Sequence, residues 1–157
     1  MFQGTYVSST LKGLPILDAL NEMDFDAFVI GNHEFDWGLD EIKKYKDGDF
    51  LNGEAEFPFL GANIFDRSTN KMVDWLEPYT IVECNDVNIG IIGIIGDVES
   101  SILSTNVEDY DFVDPLDIVK NYATELRTVK ECDAVFVAIH GDDSNIYHTL
   151  ATYTDSS

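Results

Sequence analysis

The chain has 157 residues, of which 45% are hydrophobic and 12% aromatic, enough apolar mass for a sizeable core and too much for a disordered chain. Nine Lys plus Arg against 30 Asp plus Glu give a formal net charge of −21, which repels nucleic acid and anionic membrane surfaces and so argues against a polyanionic partner. No apolar run approaches the roughly 18 residues that a spanning helix needs, the longest being residues 89–95 and 134–139.

A small phosphorylated substrate remains compatible with this charge, because bound divalent cations are often the largest local charges in a site and reverse its field. Cys84 and Cys132 are too few and too far apart for a disulfide framework or a zinc knuckle, and are read as two buried thiols. No basic segment followed by an apolar stretch opens the chain, so the sequence itself does not assign a compartment.

Residues 1–10 are polar and short and read as the tail of a loop. Leu14 and Pro15 then open a helix in which Ile16, Leu17, Leu20 and Met23 form one apolar stripe facing a sheet. Ala27, Phe28, Val29 and Ile30 read as a short buried strand, followed by GNHEFDWG at 31–38. Leu39, Ile42 and Tyr45 mark a second short helix, stopped by the turn chemistry of Asp47, Gly48 and Asp49, and an acidic surface loop runs to Glu56.

Residues 57–62 read as a further strand, with Pro58 near its start or at an edge. Asn63 opens a polar excursion to Lys71. Residues 79–83 and 87–95 are two strands joined at Asn85 and Asp86, an antiparallel hairpin whose turn lacks the favoured Gly. Gly90 and Gly93 point to close approach of another backbone rather than to a ligand.

Residues 97–114 read as a long acidic loop, entered through a turn at Gly96 and Asp97. Asp114 as N-cap, Pro115 at the first helical position and Asp117 in the first turn start a helix carrying Leu116, Val119, Tyr122 or Ala123, Leu126 and Val129 on one face. Residues 133–139 are apolar on both faces, as a central parallel strand should be, and His140 emerges at their carboxyl end. Asp142 and Asp143 just beyond it read as solvent-facing or capping groups, and His148 as a surface residue. Trp37 and Trp75 need no role beyond packing. With no internal repeat or linker, the chain reads as one domain.

Two strands thus end in polar clusters, Asn32 and His33 after the first and His140 after the last. In open α/β sheets the crevice beyond the carboxyl ends of strands is where ligands bind. Asn32 offers an amide oxygen, His33 an imidazole, and Glu34 and Asp36 carboxylates within one turn, groups suited to metal binding and proton transfer. Position alone leaves other readings open: His140 could be a surface or packed histidine, Asp36 could cap the following helix as well as or instead of orienting His33, and Glu34 reads as structural.

GNHEFDWG at 31–38 resembles the signature of the calcineurin-like metallophosphoesterases, in their 5'-nucleotidase and cyclic-phosphodiesterase branch. The segments MFQGTYVSSTLKG, FPFLGANIF, VNIGIIGIIG, DFVDPLDIVKNYATELR and DAVFVAIHG are similar to family segments in the family's order, so the resemblance covers nearly the whole chain. It implies an α/β fold, the four-layer α/β/β/α sandwich of that family, and hydrolysis of phosphate esters such as nucleotides by water activated at a pair of divalent ions, Zn, Mn or similar. Cyclic phosphodiesters and thiosulfate esters are substrates of the same core.

By this resemblance Asn32 ligates one metal and His140 is a second ligand to the same ion. His33 is the catalytic imidazole, oriented by Asp36, and Asn32 and His33 face the substrate. The family's opening Asp-x-His and Gly-Asp motifs and its closing Gly-His-x-His motif have no counterpart here, and Met1, Phe2, Gln3 and Gly4 are similar to the text just after the Gly-Asp pair. The resemblance therefore implies an incomplete catalytic domain over residues 1–157, lacking its first strand, its closing metal motif and the family's C-terminal nucleotide-recognition domain, and so a chain that is expected to be inactive on its own. It also implies an extracellular, periplasmic or cell-surface location. Uncovered sheet edges imply self-association. The alternative is a non-catalytic fragment or accessory protein that binds an ion weakly and turns nothing over.

Overall fold

A computed structural model of the chain describes residue 2, residues 4–141 and residues 148–150. The sequence features noted at Asp142 and Asp143 lie outside the described residues. In chain order the elements are α1 (Tyr6–Thr10), α2 (Leu14–Glu22), β1 (Phe28–Val29), α3 (Leu39–Lys43), β2 (Phe59–Leu60), β3 (Ile64–Asp66), β4 (Lys71–Met72), β5 (Tyr79–Cys84), β6 (Val87–Ile95), β7 (Tyr110–Phe112), α4 (Pro115–Thr128) and β8 (Ala134–His140).

Three small sheets carry these strands. The largest has the order β5-β6-β8: β5 and β6 form an antiparallel hairpin, and β8 runs parallel to β6 from the pair Ile89 and Ala134 to the pair Ile95 and His140. Asn85 and Asp86 turn the hairpin with φ of 52° and 64°. Positive φ at both turn residues is what a two-residue connection between twisted strands requires, and Asn and Asp tolerate it better than other non-glycine residues.

Because strand side chains alternate, positions three apart on β6 face opposite ways. A Cβ on Gly90 would meet the Leu126 side chain of α4, whereas one on Gly93 would lie 2.3 Å from Cβ of Leu60 on β2. The sheet is therefore covered by α4 on one face and by the parallel pair β1-β2, with Phe28 opposite Phe59 and Val29 opposite Leu60, on the other. Leu60 points to that sheet, and Phe59 points away from it into a cluster with Leu17 and Leu20 of α2, Phe2, Phe28 and Phe57. The layer order is α4, sheet, strand pair, α2, the α/β/β/α arrangement expected from the sequence.

Helix α4 begins as its residues require: Asp114 Oδ1 accepts from the Leu116 N–H at 2.9 Å, Pro115 follows, and Val119, Ala123 and Leu126 are buried. Trp37 and Trp75 pack, partly buried, against the α2 cluster. Among the described residues no helix is long and apolar enough to cross a membrane.

Several expectations are corrected. Residues 6–10 form α1 rather than loop, Thr5 capping it through Ser8 N at 3.1 Å, and Phe2 is fully buried against the rings of Phe28, Tyr45 and Phe59. The stretches read as a polar excursion from Asn63 and as a long loop from Asp97 contain β3, β4 and β7, which pair antiparallel as a separate sheet. Strand β8, expected to be central, lies at an edge of its sheet among the described residues, and Phe136 is 58% exposed. An apolar run on both faces marks burial but does not say which neighbours pair with it. Cys84, read as a buried thiol, is exposed because it ends β5 at the hairpin turn; Cys132 is buried, and both thiols are free.

Candidate functional site

The site begins with the end of β1. Ile30 N–H donates to the Leu60 carbonyl at 3.0 Å, the last rung between β1 and β2, and residues Asn32–Phe35 then form a single 3₁₀ turn. Glu34 ties that turn down from inside. It is 1% exposed, and its carboxylate accepts from the Gly31 N–H at 2.9 Å and from the Phe2 N–H at 3.3 Å. With Glu34 turned inward, Asn32 and His33 are left on the outer side.

His33 Nδ1 and Asp36 Oδ2 are 2.8 Å apart, with the imidazole 54% and the carboxylate 25% exposed. An ionised carboxylate only accepts, so Nδ1 carries the proton and Nε2 is directed away from Asp36. No side chain caps α3. Asp36 thus pairs with His33 and does not cap α3.

His140 stands at the end of β8, where the Gly96 N–H donates to its carbonyl at 2.7 Å. Its Nε2 lies 2.8 Å from Asn32 Oδ1, across 108 residues of sequence. The ring sits over Gly31, where a Cβ would come within 2.8 Å of the imidazole. The amide of Asn32 is held at its other end by Nδ2, which donates to Ser101 Oγ at 3.1 Å, and the Ser101 hydroxyl donates in turn to the Val98 carbonyl at 2.7 Å. Five residues on, Asn106 Nδ2 donates to the carbonyls of Phe35 at 2.8 Å and Asp36 at 3.1 Å. The segment read as an open acidic loop thus grips both ends of the signature turn.

All four candidate residues are brought together at the carboxyl ends of β1 and β8: His33 with Asp36, and Asn32 with His140. Glu34 is structural, as read from the sequence. Ser101, Asn106 and Gly96 were missed. Gly96 was read as a turn, and nothing in the polar sequence around Ser101 and Asn106 announces a long-range contact.

An amide oxygen and an imidazole nitrogen converging on one point are a donor pair suited to a divalent ion such as Zn or Mn. They supply two ligands, whereas a catalytic site needs at least three protein groups. Among the described residues no group of three or more His, Cys, Asp or Glu side chains is placed to hold an ion. The residues fit part of a metal site.

No protein-family model matches the sequence. Relatives do. The cell wall protein Lmo0130 of Listeria monocytogenes is 32% identical over 133 residues, 77% of this chain and 17% of that protein. The 5'-nucleotidase of Vibrio cholerae is 31% identical over 127 residues, 80% of this chain and 22% of that protein. The chain thus spans about a fifth of the length of the relatives it matches. Among solved structures, the calcineurin-like phosphoesterase YfkN of Bacillus subtilis is similar with a TM-score of 0.71 at 22% identity, over 91% of this chain and 46% of that one. By sequence and by fold, the chain belongs to the calcineurin-like metallophosphoesterases, in the branch of the 5'-nucleotidases.

Proposed function

We propose that this chain carries one half of the catalytic centre of a metal-dependent phosphoester hydrolase that acts on nucleotides. The observation that supports this most is the meeting of Asn32 and His140 at 2.8 Å beside the His33 and Asp36 pair. Two strands far apart in sequence deliver ligand-type and proton-transfer groups to one surface.

Asn32 Oδ1 and His140 Nε2 would hold one divalent ion. Divalent ions at such a centre would supply Lewis acidity toward a phosphoryl oxygen and make a water acidic enough to attack at neutral pH. The chain's own residues do the rest. His33 presents Nε2 outward, where it can stabilise charge on the phosphoryl group or give a proton to the leaving alkoxide. Asp36 fixes the ring's tautomer by lying 2.8 Å from Nδ1. The strong negative charge of the chain, −21, would repel the substrate's phosphate unless cations were bound. An extracellular or cell-surface location is supported by relatives such as the Listeria cell wall protein and the Crotalus adamanteus venom 5'-nucleotidase.

A second reading is a protein of this fold that binds an ion weakly and catalyses nothing. It is favoured by the donor set, two ligands rather than three among the described residues. One experiment separates the two: Mn²⁺ binding by calorimetry and hydrolysis of nucleoside monophosphates, measured on wild type, Asn32→Ala and His33→Ala, both in this chain and in a domain extended to carry the opening Asp-x-His and Gly-Asp and the closing Gly-His-x-His motifs. If the first reading holds, Asn32→Ala weakens the ion while His33→Ala leaves ion affinity unchanged, and in the extended domain His33→Ala lowers turnover by about 10² to 10⁴. Turnover of the extended domain no faster than its His33→Ala control, with weak Mn²⁺ binding, would establish the second.

A further inference from the structure

The Asn32 amide can face His140 with either of two ends, and only the oxygen is useful to an ion. Which end it presents is decided on its other side. Ser101 has one hydroxyl proton, and that proton is committed to the Val98 carbonyl at 2.7 Å. Its remaining capacity toward Asn32 is as an acceptor. The end of the amide 3.1 Å from Ser101 Oγ must therefore be Nδ2, a donor, and Oδ1 is left 2.8 Å from His140 Nε2. The three bonds run one way: imidazole to amide oxygen, amide nitrogen to hydroxyl, hydroxyl to backbone carbonyl.

We infer that Ser101 is a positioning residue that sets the orientation of the Asn32 amide, and through it the tautomer of His140 in the ion-free chain and the polarity of the ion site, where an ion held by Nε2 would take the place of the ring proton and leave it on Nδ1. This rests on the metal reading above only for the last of these effects; the tautomer is a property of the chain without any ion. Ser101 is itself exposed and lies at the end of the 3₁₀ turn Glu99–Ser101, outside the apolar clusters, so its removal need not disturb the fold. With Ser101→Ala the amide loses the acceptor that selects its orientation. Flipped, Nδ2 would face His140, and Nε2 would have to accept, moving the ring proton to Nδ1.

The test uses the full chain without metal, at a pH well above the imidazole range, and reads the tautomer of His140 by long-range ¹H–¹⁵N correlation. In wild type the proton should reside on Nε2. In Ser101→Ala a substantial part of the population should shift to Nδ1, and Ser101→Thr, which keeps the hydroxyl, should restore the wild-type signature. Mn²⁺ titration of the same proteins should show an affinity about 10- to 100-fold weaker for Ser101→Ala, as is usual when a partner of a metal ligand is lost. In an Asn32→Asp background both ends of the side chain are oxygens, so adding Ser101→Ala should cost little affinity; a merely structural role of Ser101 would persist there. A tautomer shift in a protein that binds no Mn²⁺ would uphold the positioning role and refute the metal reading. An unchanged tautomer in Ser101→Ala, or an equal loss of affinity in the Asn32→Asp background, would overturn the inference.

Discussion

The Glu34 carboxylate accepts from the Gly31 N–H at 2.9 Å, closing from within the turn on which Asn32 and His33 stand. A carboxylate that is 1% exposed is held there by charge-assisted hydrogen bonds, and the same group reaches the Phe2 N–H at 3.3 Å. Its removal leaves buried backbone donors without their acceptor. Glu34→Ala should therefore lower the free energy of unfolding by about 2 to 4 kcal/mol, read as a drop in the urea midpoint at unchanged slope. Glu34→Gln keeps one acceptor oxygen and should lose less. Equal midpoints for Glu34→Ala and wild type would show that the turn is held by its apolar neighbours instead.

Gly31 separates a change in the site from a change in the fold. A Cβ there would fall 2.8 Å from His140 Cε1 and 2.9 Å from both ring nitrogens. The imidazole is the mobile end of an exposed side chain, so it can swing aside, and stability should change by no more than about 1 kcal/mol. The displaced ring can no longer meet Asn32 Oδ1. Gly31→Ala should thus reduce Mn²⁺ affinity by about tenfold or more while leaving the urea midpoint almost in place. Undiminished affinity in Gly31→Ala would mean that His140 does not contribute to the ion site.

The parts of this structure that were legible in the sequence are those encoded by neighbouring residues. Asp114, Pro115 and the apolar spacing that follows announce α4; Asn85 and Asp86 between two β-branched runs announce the hairpin. The polar turn after residues 27–30 marks the site. What was not legible depends on distant pairing. Strand β3 has three residues and pairs with β7 through Ile64 and Phe112, so neither has a period long enough to be read. Asn63 looked like the start of a loop, yet it is 1% exposed: its Nδ2 donates to the carbonyls of Ile95 and Val113, and its Oδ1 accepts from the Ile95 N–H. A polar residue fully satisfied by backbone partners 32 and 50 residues away is indistinguishable in sequence from an exposed one. Ser101, 69 residues from Asn32, escaped for the same reason.

Tyr45 gives the chain a sensitivity to alkali. The residue is 4% exposed and its hydroxyl donates to the Lys12 carbonyl at 2.8 Å. Burial first, then the nearby charges of Glu41 and Asp18, pushes its pKa up from 10.0 to about 12. A tyrosine whose folded pKa is raised keeps its proton in the native state after the unfolded chain has lost it. Its contribution to stability is complete below about pH 10 and declines as pH rises toward 12, because the unfolded state then binds fewer protons than the native one. Tyr110, also raised to about 12 chiefly by burial, acts in the same direction. Tyr45→Phe should be less stable at neutral pH by about 0.5 to 1.5 kcal/mol, the worth of one hydrogen bond. It should also lose stability less steeply in alkali, so that thermal melting curves of the two proteins converge as pH approaches 12. Melting temperatures that fell in parallel from pH 10 upward would show that Tyr45 ionises no later in the native chain than in the unfolded one.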